Sequence, residues 1–374
     1  MMPTRIALDR THFSKGTPYS HSLLADRCPT KAATRKIVFV GDVWDGSTSG
    51  MRLETLRRLG HPVQAVLRAY PQRSLFQRLL DCACWKLGYP RDQGLNEAIL
   101  SLLSRNPADI LWCDRPLDLR PDTLERTRKL NPAIKFVAYS LDDMAGSHNQ
   151  SAYYLKSIPL YDLHVTTKSY NVDELKALGA RKVLFVNNAF CPFVHFPVEP
   201  TPEEKLRYGG AVGFIGSYER DRADMLAALA KAGIAVRVWG GGWPDRLHSS
   251  TPNLRIENQC LWGDSYRTAV NCFDIKLGFL RKLNRDLQTT RSVEVPACGA
   301  FLLAERTREH RALFQEDVEA AFFCSTDELV MKVKYYLHND SVRKTIALNG
   351  FRKALGAPYT YEAQLEQVFE KIVC

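Results

Sequence analysis

Short apolar runs rich in β-branched and aromatic residues recur along the chain from Arg35 onward, separated by stretches with helical spacing. Lys36–Gly41, Pro62–Arg68, Asp109–Cys113, Lys135–Leu141, Leu163–Lys168 and Lys182–Asn187 read as strands. Gly50–Leu59 sets Leu53, Leu56 and Leu59 along one face and stops at Gly60, and Asn171–Leu178 stops at Gly179, which predicts helices closed by a C-terminal glycine. The strands are almost continuously apolar instead of alternating. Both their faces must therefore be buried, which calls for a parallel sheet covered on each side by helices.

The alternation breaks at Cys191–Glu204, where Pro192, Pro197, Pro200 and Pro202 forbid a long helix or a central strand and mark a linker. It then resumes. Ala211–Ser217, Val236–Gly240, Leu254–Gln259, Phe273–Phe279, Ala300–Glu305 and Ala321–Cys324 are strand candidates, with helices expected near 220–232, 263–271, 290–298, 306–315 and 326–338. The expected fold class is α/β, with two Rossmann-like doubly wound domains facing a central cleft. Residues 1–35, which lack any period, are expected to form a tail or irregular cover. Residues 36–195 are expected to form the first domain, on the acceptor side, and 205–355 the second. Two last helical stretches, about 341–355 and 360–373, are expected to pack back across both domains, with 356–374 as the crossing helix.

Composition changes this picture little. The 374 residues are 45% hydrophobic and 25% charged, enough for two cores without staples, and no apolar run approaches the roughly 20 residues that cross a bilayer. Ten cysteines are scattered, several inside apolar runs (Cys113, Cys272, Cys298, Cys324), and with no signal peptide before them they read as reduced thiols of a cytoplasmic protein. Cys82-Ala-Cys84 lacks a second pair at zinc spacing and reads as small buried hydrophobes, so no metal is expected. The net charge of +10 is dispersed and not interleaved with aromatics as a nucleic-acid platform would be. It suits a merely basic solvated face, or attraction to phosphates or to the anionic inner face of a membrane.

In open parallel sheets, ligands bind beyond the carboxyl ends of the strands, where loops meet helix N-termini. The loop Asp42–Gly50 follows the first strand and resembles a phosphate-binding turn, but lacks both G-x-G-x-x-G and the P-loop spacing. Dehydrogenase and P-loop readings lose their main support. In the second domain, Gly213-Phe-Ile-Gly216-Ser217-Tyr218 leads into a helix near Arg220, so Gly216, Ser217 and Arg220 are candidates for holding a diphosphate. Trp239 and Gly240, in a strand ending on three glycines between two tryptophans, are candidates for meeting a ring or sugar, with core packing an equal account of Trp239. Asn284, Asp286, Thr290, Arg291 and Glu294 lie on a polar loop and the helix that follows, an anion site with a carboxylate beside it.

The segment Lys276–Glu305 resembles the carboxyl-terminal donor domain of GT-B glycosyltransferases, closest to the CgeB-like (spore-maturation-protein) group. Glu319–Val330, Tyr335–Asp340, Arg343–Gly350 and Tyr359-Thr-Tyr361 are similar in order and spacing to that group's closing segments. The resemblance covers about residues 208–370; over 36–200 mainly the two-domain plan agrees. It implies that Glu294 accepts hydrogen bonds from the ribose of a nucleotide sugar, a task that suits an acceptor-only carboxylate. It also implies that Thr290 and Arg291 face the diphosphate. Where related retaining transferases carry Glu-x7-Glu, this chain has Asp286 in the first position. A plainer account of Glu294 is a carboxylate favoured at a helix N-terminus.

The reading is thus a hexosyltransferase that moves sugar from a nucleotide sugar to a glycan, lipid-linked or small-molecule acceptor. The resemblance implies that it needs no metal and no resident cofactor, since GT-B enzymes use side chains and helix dipoles where the other major fold uses a metal-binding Asp-x-Asp; no convincing Asp-x-Asp occurs here, and Arg220, Lys282 and Arg291 are available to meet the leaving diphosphate. Asp142 and Asp143, after the fourth strand, are the base candidates, with His148 and His195 behind them; adjacent residues point different ways, so at most one Asp serves. Capping a following helix is the bland account of that pair. A non-catalytic binding clamp, and an epimerase or phosphorylase on the same plan, remain open.

Overall fold

The computed structural model describes residues 34–68, 74–245, 247 and 251–373, so the expected tail lies outside them save its last two residues. The first domain is built on β1 (Ile37–Gly41), β2 (Val63–Leu67), β3 (Ile110–Asp114), β4 (Lys135–Ser140), β5 (Leu163–Thr166) and β6 (Val183–Phe185). The second carries β7 (Gly210–Ile215), β8 (Val236–Trp239), β9 (Leu254–Ile256), β10 (Phe273–Gly278), β11 (Leu302–Glu305) and β12 (Ala321–Phe323). Both sheets are parallel, in the orders β2-β1-β3-β4-β5-β6 and β12-β11-β10-β7-β8-β9. All the strands read from the sequence occur. Chain order reverses between β1 and β3 and again between β7 and β10, and at such switch points the loops diverge and leave a crevice.

The apolar runs explain the layering. Ile37 and Phe39 of β1 join Leu53, Leu56, Trp112 and Val137 on one face, while Val38 and Val40 join Ile99, Leu103, Leu111 and Leu124 on the other. Each buried side chain of this size contributes about 1.5–3 kcal/mol. Helices Leu95–Arg105 and Pro121–Leu130, which cover the second face, are not singled out by the sequence reading. Pro121, a helix breaker in most contexts, sits at a first helical position where its missing N–H costs nothing.

The linker departs from expectation in the same way. Pro202 opens a short helix, Pro202–Tyr208, capped by a reciprocal pair of hydrogen bonds between Thr201 and Glu204. Upstream, Phe190 N donates to Tyr359 O and Tyr361 N donates to Phe190 O, so the two crossings between domains run side by side. Helix Asp340–Gly356 stays with the second domain; Gly350 lies where a Cβ would stand 2.3 Å from Glu319 O. Helix Tyr361–Val373 returns to the first sheet and buries Leu365, Val368 and Phe369 against Ile37, Leu53 and Leu56. Cys82 and Cys84 are not core residues: they lie on helix Leu75–Lys86, Cys82 exposed and Cys84 half-buried. Among the described residues, no helix is long and apolar enough to cross a membrane.

Candidate functional site

At the β7/β10 switch point, the turn after Ile215 is clamped by its neighbours. Gly216 N donates to Trp239 O at 2.8 Å, and Gly216 O accepts from Trp243 Nε1 at 3.1 Å. Gly240, at φ +139°, comes so close to this turn that a Cβ would stand 2.0 Å from Gly216 O, so only glycine fits. Gly240 therefore shapes the loop. Trp239 is a correction: its ring is buried in the core and its Nε1 donates to Tyr208 O at 3.2 Å, so it turns away from the cleft. Ser217 stays exposed at the head of helix Arg220–Lys231.

Arg220 is exposed, and the residue that turns inward is Arg222, which the sequence reading passed over. Arg222 donates to Ser217 O at 3.0 Å and lies 3.7 Å from Glu219, while its buried Nε finds no hydrogen-bond partner. Burial lowers its pKa; Glu219 opposes that shift and Arg291 adds to it. Lys276, fully buried in the middle of β10, has only Leu277 O at 3.4 Å as an acceptor. Burial holds its pKa well below the ordinary lysine value, Arg291 pushes the same way and Glu294 resists. Arg291 thus bears on both Arg222 and the buried Lys276 amine, and an anion among them relieves that repulsion and favours the protonated amine.

Glu294, one turn into helix Arg291–Ala297, is buried. Its Oε2 accepts from Tyr266 OH at 2.9 Å, and its Oε1 lies 3.7 Å from His195 Nε2. His195 accepts from Cys191 N at 3.1 Å on Nδ1, and burial lowers its pKa despite the pull of Glu294. It is a neutral packing partner of the carboxylate. Thr290, next to it, is buried and receives a long contact from Arg291 at 3.4 Å. Lys282 is taken up by an ion pair with Glu305, so it is not a spare cation.

The loop Arg281–Gln288 crosses to the first domain, and Asn284 is its hub. Asn284 Oδ1 accepts from Asp143 N at 3.0 Å and Asn149 Nδ2 at 2.8 Å, and Asn284 Nδ2 donates to Asp286 at 3.1 Å and Asp142 at 3.4 Å. Asp286 is also paired with Lys168 of the first domain at 2.5 Å, both buried. Asp143 takes hydrogen bonds from Arg285 at 2.6 and 2.9 Å and from Asn171 at 2.8 Å. Burial works against its charge, yet these donors outweigh burial and hold its pKa below the carboxylate range. A carboxylate so engaged is a poor base. Asp142 is only half-buried, with Arg115 3.1 Å away, and His148 is exposed.

All three aspartates predicted from sequence thus meet at Asn284, although 142 residues separate Asp142 from it. Arg222, Tyr266, Lys168 and Lys276 were missed. Lys276 had a faint signal, a charge between Ile275 and Leu277 in a strand whose other charge is Asp274, whereas the others carry none because only tertiary contact distinguishes them. In the first domain the loop after β1 is largely spent on structure: Ser47 caps helix Thr48–Arg58 by accepting from Gly50 N, and Ser49 donates to Asp114. A broad surface concavity of about 750 Å³, lined by Glu319, Asn349, Arg352 and Lys353 among others, lies apart from these candidates.

Comparison with known proteins adds to this geometry. Residues 220–370 match a family described as glycosyl transferase-like. No protein of curated function matches the sequence. HepE of Anabaena, solved in complex with UDP-glucose, superposes with a TM-score of 0.60 at 13% identity, covering 90% of this chain and 99% of that one. Sucrose-phosphate synthase of Thermosynechococcus elongatus gives 0.62 at 12% identity over 91% of this chain and 99% of that one. TarM gives 0.64 at 8% identity over 92% and 100%. The fold is that of GT-B glycosyltransferases, as the sequence led us to expect.

Proposed function

We propose that this chain is a cytoplasmic glycosyltransferase of the CgeB-like group, moving a hexose from a uridine-diphosphate sugar to a glycan or lipid-linked acceptor. The observation that carries it is the gathering of Arg222 and Lys276 about the Phe214 ring, at 5.7 and 5.5 Å, with Arg291 5.9 Å from the centre of the Tyr266 ring and Glu294 hydrogen-bonded to Tyr266. A diphosphate offers the negative charge that this gathering lacks. In the proposed reaction Arg222 and Arg291 stabilise the charge that builds on the departing diphosphate, which needs no metal. Glu294 meets the ribose hydroxyls through acceptor sites that Tyr266 leaves open, since a carboxylate has about four.

Asp142 is the base candidate that suits an acceptor hydroxyl, because its side chain is the most open of the three aspartates, 28% exposed against 6% for Asp286 and 1% for Asp143. Asp143 and Asp286 act at a distance, holding the crossing loop in place through Arg285 and Lys168. The expected result in a thermal-shift panel of uridine, guanosine, cytidine and thymidine diphosphates is a base-selective rise. At about 100 times its dissociation constant the ligand adds about 2.7 kcal/mol. Arg291→Ala is expected to weaken that binding about tenfold, about 1.4 kcal/mol. No rise with any nucleotide would remove the reading.

A further inference from the structure

Helix Leu75–Lys86 is amphipathic the wrong way round for a folded core. At 100° per residue, Leu75, Phe76, Leu79, Leu80 and Ala83 share one side, and Gln77, Arg78 and Asp81 the other. None of its residues is buried, and Leu75, Phe76 and Leu79 are 75%, 74% and 62% exposed, with Leu87 after them at 73%. The half-buried members, Asp81 and Cys84, lie off that apolar stripe. The helix is secured by its ends. Ser74 and Gln77 form a reciprocal cap, and past Lys86 the chain is held where Gly88 O accepts from Ala152 N at 2.7 Å.

What borders the stripe identifies what covers it. Arg78, Lys86 and Lys156 are exposed, Lys156 standing 5.6 Å over the Tyr89 ring, and the carboxylate of the helix, Asp81, lies 3.6 Å from Arg91. Trp85 and Tyr89, 45% and 43% exposed, sit at the same end. An apolar stripe with lysine, arginine and boundary aromatics is the pattern of a helix that lies in the plane of a lipid interface, and the chain's +10 charge favours an anionic leaflet. A second copy of the chain would bring the same cations face to face.

We infer that helix Leu75–Lys86, with Leu87 and Tyr89, docks this protein on an anionic lipid bilayer. The inference stands whether or not the chain transfers a sugar.

The test is co-sedimentation with vesicles of phosphatidylcholine, alone or with phosphatidylglycerol. The full chain is expected to bind the anionic vesicles at least about tenfold more tightly than the neutral ones. Leu75→Ser/Phe76→Ser/Leu79→Ser is expected to lose that binding with its melting temperature unchanged, since these side chains bury nothing. Arg78→Glu/Lys86→Glu is expected to lose the preference for anionic lipid. Equal binding to both vesicles, no binding, or a triple serine variant that still binds would overturn the inference. A dimer that the triple variant turns into a monomer would assign the face to a second copy. Vesicle binding seen only after removal of residues 1–33 would assign it to that segment.

Discussion

Arg52→Met lowers the stability of the first domain by about 3–5 kcal/mol, the cost of stranding one member of a buried ion pair. Arg52 and Asp114 are both 3% exposed and paired directly. Asp114 also accepts from Ser49 Oγ and from Trp112 Nε1, the latter at 2.8 Å. The guanidinium lies 4.2 Å from the centre of the Tyr139 ring and 5.6 Å from that of Tyr361, so it is held by faces of aromatic rings as well as by the carboxylate. Methionine fills the space but leaves the Asp114 charge with two neutral donors in a medium that screens it poorly. Urea unfolding of the single variants and of Arg52→Met/Asp114→Leu measures the effect. The double variant is expected to recover most of the loss, and a double variant as unstable as the two losses added would count against the ion-pair account. Because Asp114 ends β3 and Ser49 opens helix Thr48–Arg58, the same loss loosens the cleft side of the first domain.

The opposite sign is expected at Lys276. Lys276→Met stabilises the protein by about 1–4 kcal/mol, as replacing poorly compensated buried charge by apolar volume does. The amine is fully buried with one acceptor at 3.4 Å, beside Arg291. Its folded pKa lies below its unfolded value of about 10.4, so the unfolded chain binds the extra proton between the two. The penalty of burying it is full below the folded pKa and fades as pH rises towards the unfolded one. The melting-temperature advantage of Lys276→Met is therefore expected to shrink from neutral pH towards pH 10, and an advantage that grows with pH would sink the account. Under the proposed function the variant also binds uridine diphosphate less well, having lost an amine that the phosphates would hold protonated. A gain in stability bought with lost binding is the mark of a residue kept for function.

The strands were legible because each is a run buried on both faces, and burial on both faces leaves a compositional record: Ile37–Gly41 and Ile110–Asp114 are apolar to their last residue or nearly so. Gly60 and Gly179, both at positive φ, marked helix ends for a reason local to the backbone. Helix Leu75–Lys86 escaped notice although its periodicity is regular; its orientation, apolar side outward, is not a property of the sequence. The inward turn of Trp239 was likewise undecided until Tyr208 O was placed opposite its indole N–H.

The polar residues divide along the same line. Periodicity and turn chemistry act over a few residues, and by themselves they determined two parallel sheets and the candidate loop around Asn284, while the strand orders and their switch points came from the structure. Which carboxylate is open and which is spent depends on partners far away in the chain. Asp143 is occupied by Arg285 and Asp286 by Lys168, Glu294 gives only one oxygen to Tyr266, and Asp142 is left half-exposed. Only the tertiary structure decided these roles, because a charge takes its meaning from whatever the fold brings within hydrogen-bond reach, and separations of 142 and 118 residues leave no trace in local pattern.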